Sequence, residues 1–140
     1  MRDYSDPKIE EILQQHAKSK GFNAWLGLDL IAAGNGQIEI ELTTSDDMLQ
    51  HHGFVHGGVV GALTDTACAW AAATVSGDVV TASYTIQLLA PALPPKLTVK
   101  AAVIKKGKRT ASVEAKVYCL DKQGTEKLVA NALASIAILG

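Results

Sequence analysis

Cysteine, aromatic residues and proline are scarce in this sequence, and each scarcity excludes something. Cys68 and Cys119 are the only cysteines and form no CxxC pair, so a disulfide framework is not expected and both thiols read as reduced. Aromatic residues make up 5% of the chain. Nucleic-acid binding, which calls for a strongly basic stripe with aromatic platforms, is therefore not expected. Only four prolines interrupt a chain that is 48% hydrophobic, which fits one domain over residues 1–140 with a core of its own. The first residues, Met1 to Pro7, mix charges and lack the apolar stretch of a secretory leader, pointing to a cytoplasmic protein. The longest apolar stretch, Gly53 to Val75, is broken by His56, Thr64, Asp65 and Thr66. A carboxylate near its centre argues for a buried helix in a soluble protein and against a membrane span.

A net charge of −1 conceals an asymmetry. Residues 1–95 hold 4 basic and 11 acidic side chains, and residues 96–140 hold 9 basic and 3 acidic. The C-terminal third is locally cationic, which leaves room for a small polyphosphate ligand.

Asp6-Pro7 offers an N-cap before proline at the first helical position, with Ile9, Ile12, Leu13 and His16 at helical spacing until Gly21. This predicts a short helix over about residues 6–20. From Trp25 to Leu42 the sequence reads as a hairpin about Gly34-Asn35-Gly36, its second strand alternating Ile38, Ile40 and Leu42 against Glu39 and Glu41 on a wet face. Between Gly57 and Thr74 lie six alanines and three glycines. That composition predicts a helix over about residues 57–75, apolar nearly all round and therefore enclosed by sheet. Four β-like runs follow, at about residues 79–89, 97–106, 111–120 and 127–139, and their short turns suggest an antiparallel meander. The fold class is α+β.

Chemistry concentrates where the loop from Gln50 to His56 enters the central helix at Gly57 and Gly58. A helix N-terminus presents unpaired N–H groups and partial positive charge, and a glycine lets a carbonyl approach the main chain. Such a donor can stabilise the oxyanion of acyl transfer; the same glycines would also serve close packing. Asp65 is a carboxylate among Ala, Leu, Val and Cys, a position that calls for either a hydrogen-bond partner or a task. Eight helical residues put Asp65 about 12 Å from Gly57 at about 1.5 Å per residue. That is too far for one reacting group, so the two can cooperate only across different chains, and if both are functional the catalytic unit is at least a dimer.

The pattern His56-Gly57-Gly58, six residues, then Asp65-Thr66-Ala67, together with Leu89-Ala90-Pro91-Ala92 and the basic turn at Gly107, resembles the PaaI-type hotdog acyl-CoA thioesterases. The resemblance spans about residues 21–140. It implies an antiparallel sheet of five or six strands wrapped around the central helix, a homodimer as catalytic unit, and a dimer of dimers as the tetramer. It further implies that the Gly57 N–H polarises the thioester carbonyl and that Asp65 of the partner acts as base or nucleophile. Gln50 stands where the family often has Asn, and Thr81, with Ser83 as fallback, falls at the water-binding position. Gly58 and Phe54 are expected at the substrate, with Met48, Leu49 and Trp70 as further acyl-pocket candidates. His56 is expected to position the loop, although its ordinary pKa also suits a general base.

Lys105-Lys106-Gly107-Lys108-Arg109 places four cations in five residues. They suit the phosphates of CoA, with Lys106, Lys108 and Arg109 as the expected contacts, though a soluble hairpin tip has the same look. No cofactor is expected, CoA being part of the substrate. No metal is expected either, because His51, His52 and His56 lack recognisable ligand spacing. Cys68, mid-helix in apolar surroundings, is read as packing. Two other functions compete with hydrolysis: a non-catalytic acyl-CoA-binding hotdog protein, and a hydratase or dehydratase, whose histidine-plus-acid loop has no counterpart here.

Overall fold

The computed structural model describes residues 2–140. Asp6 caps helix α1 (Pro7–Ser19), its carboxylate accepting from the Lys8 and Ile9 N–H groups at 3.1 and 3.4 Å. This satisfies two donors that a helix start leaves open. Leu13 and Ala17 are its buried residues. The expected hairpin begins later than its sequence suggests. Trp25 lies in a short helix, α2 (Phe22–Leu26), closed by Gly27 in the left-handed conformation (φ 81°). Trp25 is 73% exposed and its ring lies 5.7 Å from that of Phe22.

Strands β1 (Asp29–Gly34) and β2 (Gln37–Thr43) join through Asn35 and Gly36, both at positive φ (50° and 79°), the backbone that a tight right-twisted hairpin requires. The expected wet face of β2 is only partly wet. Glu39 is 7% exposed because the N-terminal segment crosses it, and the Arg2 guanidinium grips its carboxylate with two bonds of 2.9 and 2.8 Å. Period-two reading cannot anticipate a cover supplied by residues so far away in sequence. The same crossing explains Gly34, where a Cβ would stand 2.1 Å from the Tyr4 carbonyl oxygen.

Helix α3 (Gly57–Ser76) follows, then β3 (Val79–Leu88), β4 (Lys96–Lys106), β5 (Thr110–Leu120) and β6 (Glu126–Ile138). All six strands form one antiparallel sheet in the order β1-β2-β4-β5-β6-β3. The simple four-strand meander is thus corrected. Only β4-β5-β6 run as one; β3 pairs with β6 at the far edge, while β4 pairs with β2. The segment between β3 and β4 carries Pro91, Pro94 and Pro95, which cannot continue a hydrogen-bonded ladder and let the chain cross to the other side of the sheet.

The sheet wraps α3, giving the hotdog arrangement. On α3 the buried residues Val60, Leu63, Ala67, Cys68, Ala71 and Ala72 face the sheet, and their small size lets the backbone approach it. From β5, Ala111, Val113, Ala115 and Val117 alternate inward against exposed neighbours, the period of a half-buried strand. The opposite strip of α3, through Ala62, Asp65, Thr66, Ala69 and Ala73, is only half-buried. Leu63 is fully buried at the centre of this packing. Leu63→Ala is expected to cost about 2–5 kcal/mol of stability, read as a lower urea midpoint with unchanged slope; a loss under about 0.5 kcal/mol would contradict the proposed core.

Candidate active site

The loop before α3 is held at both ends. The Gln50 side-chain oxygen accepts from the main-chain N–H groups of His52 and Phe54 at 2.5 and 3.3 Å, and the His56 N–H donates to the Met48 carbonyl at 2.9 Å. His56 is the N-cap of α3: its Nδ1 accepts from the Gly58 N–H at 2.8 Å. This tie uses the Gly58 donor internally. The Gly57 N–H has no acceptor among the described residues, so the first turn keeps an oriented donor within the positive end of the helix field.

That donor borders a cavity of about 340 Å³ lined by Gln50, Phe54, Gly57, Leu88, Pro91 and Ala92, among others. A Cβ at Gly57 would come within 3.1 Å of Leu88 Cδ1, so glycine keeps the wall between loop and β3 open. The structure therefore brings together Gln50, Phe54 and Gly57. Gln50 has already committed its oxygen to the loop, and its amide nitrogen makes no hydrogen bond among the described residues.

Asp65 is not part of this cavity. It stands two turns further along α3, half-buried on the strip that the sheet leaves uncovered. A bulge in β3 separates the two hydroxyl candidates. Thr81 pairs with Ile136 and Ser83 with Ser135; directly opposed residues share a sheet face. Ile136 is fully buried in the core, so Thr81 faces the helix, whereas Ser83 faces away. The basic hairpin lies at the other end of α3 from Gly57. There the Lys106 ammonium donates to the Val75 carbonyl at 2.7 Å, a helix C-cap that occupies one of the expected phosphate contacts. Lys108 and Arg109 are exposed and make no ion pair among the described residues.

Of the acyl-pocket candidates, Phe54 lines the Gly57 cavity, Trp70 lines a separate groove, and Met48 and Leu49 pack on the core. Burial, and secondarily the Asp65 carboxylate, push the Cys68 thiol from 9.0 up to about 12, which leaves no thiolate for nucleophilic chemistry at neutral pH. Sequence reasoning missed the capping of α3 by His56; a polar residue immediately before a small-residue helix is the signal that marks it.

Residues 52–125, just over half of the chain, match the family model of the thioesterase superfamily, and the chain belongs to that superfamily. It is a thioester hydrolase of the PaaI-type hotdog group. It is 35% identical over 86 residues to the acyl-coenzyme A thioesterase PaaI of Escherichia coli, covering 61% of each chain. The solved structure of the E. coli PaaI protein from the phenylacetic acid degradation operon superposes with a TM-score of 0.80 at 28% identity, over 94% of both chains. A thioesterase family protein from Silicibacter pomeroyi gives a TM-score of 0.86 at 25% identity, over 94% of this chain and 99% of that one.

Two outcomes follow from this geometry. His56→Ala should lower stability by about 1 kcal/mol through loss of the cap, with His56→Asn restoring most of it; equal melting temperatures for all three proteins would remove the capping role. In a Cys119→Ser background, Cys68 should resist a disulfide reagent at pH 8 in the native state and react on unfolding. The native thiol keeps a proton that the unfolded chain releases above about pH 9. Its contribution to stability is therefore present below that pH and fades as pH rises towards 12.

Proposed function

We propose that the protein hydrolyses acyl-CoA thioesters to the free acid and CoA in sites shared between two subunits. The observation that carries this reading is the unpaired Gly57 N–H on the α3 cavity, with the carboxylate of the same helix about 12 Å away. Neither residue can complete a site alone. In a two-fold dimer the two α3 helices run in opposite directions along their uncovered strips, which brings Gly57 of one subunit towards Asp65 of the other.

The edge of the sheet supports that pairing. Strand β3 is ten residues long and bonded only to β6, and it exposes Val80, Tyr84 and Leu88. A long apolar edge is a liability unless a second chain covers it; an antiparallel β3–β3 junction would continue the sheet. Pairing of such dimers gives the tetramer.

In this mechanism the Gly57 N–H donates to the thioester oxygen as negative charge develops there. The partner's Asp65 takes a proton from a water held with Thr81, and that water attacks the carbonyl carbon. The C–S bond then breaks, the thiolate leaves with the proton, and the acid remains. Gln50 orients the carbonyl through its free amide nitrogen, and His56 keeps the first turn in place. Lys108 and Arg109 meet the CoA phosphates. The chemistry uses main-chain and side-chain groups alone.

Proline is accepted at the first helical position, and His56 already has the extended backbone (ψ 136°) that precedes one. Because any Cβ at position 57 meets Leu88 Cδ1 at 3.1 Å, Gly57→Ala controls for the narrowed cavity, and Gly57→Pro beside it deletes the proposed donor while preserving the helix. It should lower kcat about 10²–10³-fold, and Asp65→Asn about 10²–10⁴-fold. Co-expressed as equal mixtures, the two dead chains should recover about a quarter of the wild-type thiol release, because half the dimers contain one unaltered site. No recovery from a mixture shown to contain heterodimers would refute the shared site, and no cleavage of any acyl-CoA by the wild type would refute the substrate class.

A further inference from the structure

A second cavity, of about 430 Å³, lies between α1 and the C-terminal half of α3. Ile9, Ile12 and Leu13 form one wall and Ala69, Trp70 and Ala73 the other, with Val79 closing the end. Its size falls within the range of small-molecule pockets. The only hydroxyl on its walls is spent: Thr74 donates to the Ala71 carbonyl at 2.8 Å and accepts from the Gly36 N–H at 2.7 Å. His16 and Asp78 are exposed at the rim. Ile12, although on the apolar face of α1, remains 51% exposed over the opening.

The position of this groove is informative. Ala69 is one helical turn beyond Asp65, on the same uncovered strip of α3, and Ala73 is one turn further. A carbonyl attacked at Asp65 therefore has an apolar channel beginning beside it. On the other side, at the partner's Gly57, the cavity is also largely apolar, with Gln50 as its one polar side chain, so substitutions confined to the groove are what distinguish the two. The groove follows two turns of each helix, a length of about 10 Å, and matches an extended chain better than a compact ring.

We propose that this groove holds the acyl group, and that the preferred substrates carry unbranched aliphatic chains of medium length with Trp70 as the side wall. The assignment rests on the shared-site reading given above. Each methylene buried on transfer from water is worth up to about a factor of four, so kcat/KM should rise as the chain lengthens from butyryl- to decanoyl-CoA.

Ile12→Trp fills the groove from an exposed position, and Ala73→Phe fills it from the opposite wall. Both should cut kcat/KM for decanoyl-CoA by about tenfold or more, since several methylenes lose their burial, and leave butyryl-CoA within about twofold. Equal effects on both chain lengths, or none on either, would overturn the proposal. A binding measurement separates its failure from failure of the hydrolase reading. In a Trp25→Phe background Trp70 is the sole tryptophan, and its fluorescence should change saturably with S-decyl-CoA, a thioether that cannot be hydrolysed, and stay constant with CoA. That change in a protein without turnover would still support the groove. No change, or a change in oligomeric state for Ile12→Trp showing that a second copy covers the groove, would reject it.

Discussion

Helix α3 has to meet two demands with a single set of residues. One side must be apolar and small enough to lie against a curved sheet, which Ala67, Ala71, Ala72 and Cys68 achieve. The other, in the proposed mechanism, leaves a carboxylate and an N-terminal donor accessible. A straight helix holds those two groups at a fixed separation, with no loop flexibility to bring them together. Burial of one face thus fixes the geometry of the other, and the proposed sharing of a site between subunits is a consequence of that rigidity.

Much of the architecture was legible in the sequence because it rests on local periodicity. The cap at Asp6, the alternation in β5 and the alanine-rich composition of α3 are each set by neighbours within a few residues. What escaped was non-local. The N-terminal crossing that buries Glu39 depends on Arg2 and Tyr4 arriving from elsewhere. The order of β3 and β4 depends on which open edge each strand finds on either side of a proline-rich connection. Trp25, hydrophobic enough to suggest a strand, is turned into helix by Gly21 and Gly27 on either side.

The site shows the same division. The spacing from Gly57 to Asp65 follows from helix geometry alone, and the main chain confirms the helix that the spacing assumed. The division of labour between neighbours did not follow. Gly57 and Gly58 are equivalent donors on paper, and only the His56 side chain distinguishes them by satisfying one. Thr81 and Ser83 are two residues apart and would share a face in a regular strand. The bulge between them adds one residue and turns them to opposite faces, a distinction no composition or spacing carries.

The basic hairpin needs a similar partition. Four cations in five residues suggest one polyphosphate contact, but Lys106 reaches back to the Val75 carbonyl. At the last turn of a helix the carbonyls carry partial negative charge, and an ammonium there is favourable without any ligand. Lys106 is therefore accounted for by the fold, whereas Lys108 and Arg109 extend beyond it. Losing Lys106 would loosen the end of α3 beside the α1–α3 groove, so its effect on turnover would arise through helix position. In the proposed mechanism, losing Arg109 would act on phosphate attraction, and its effect would weaken as salt rises. The two halves of one motif thus belong to different links of the chain from sequence to function.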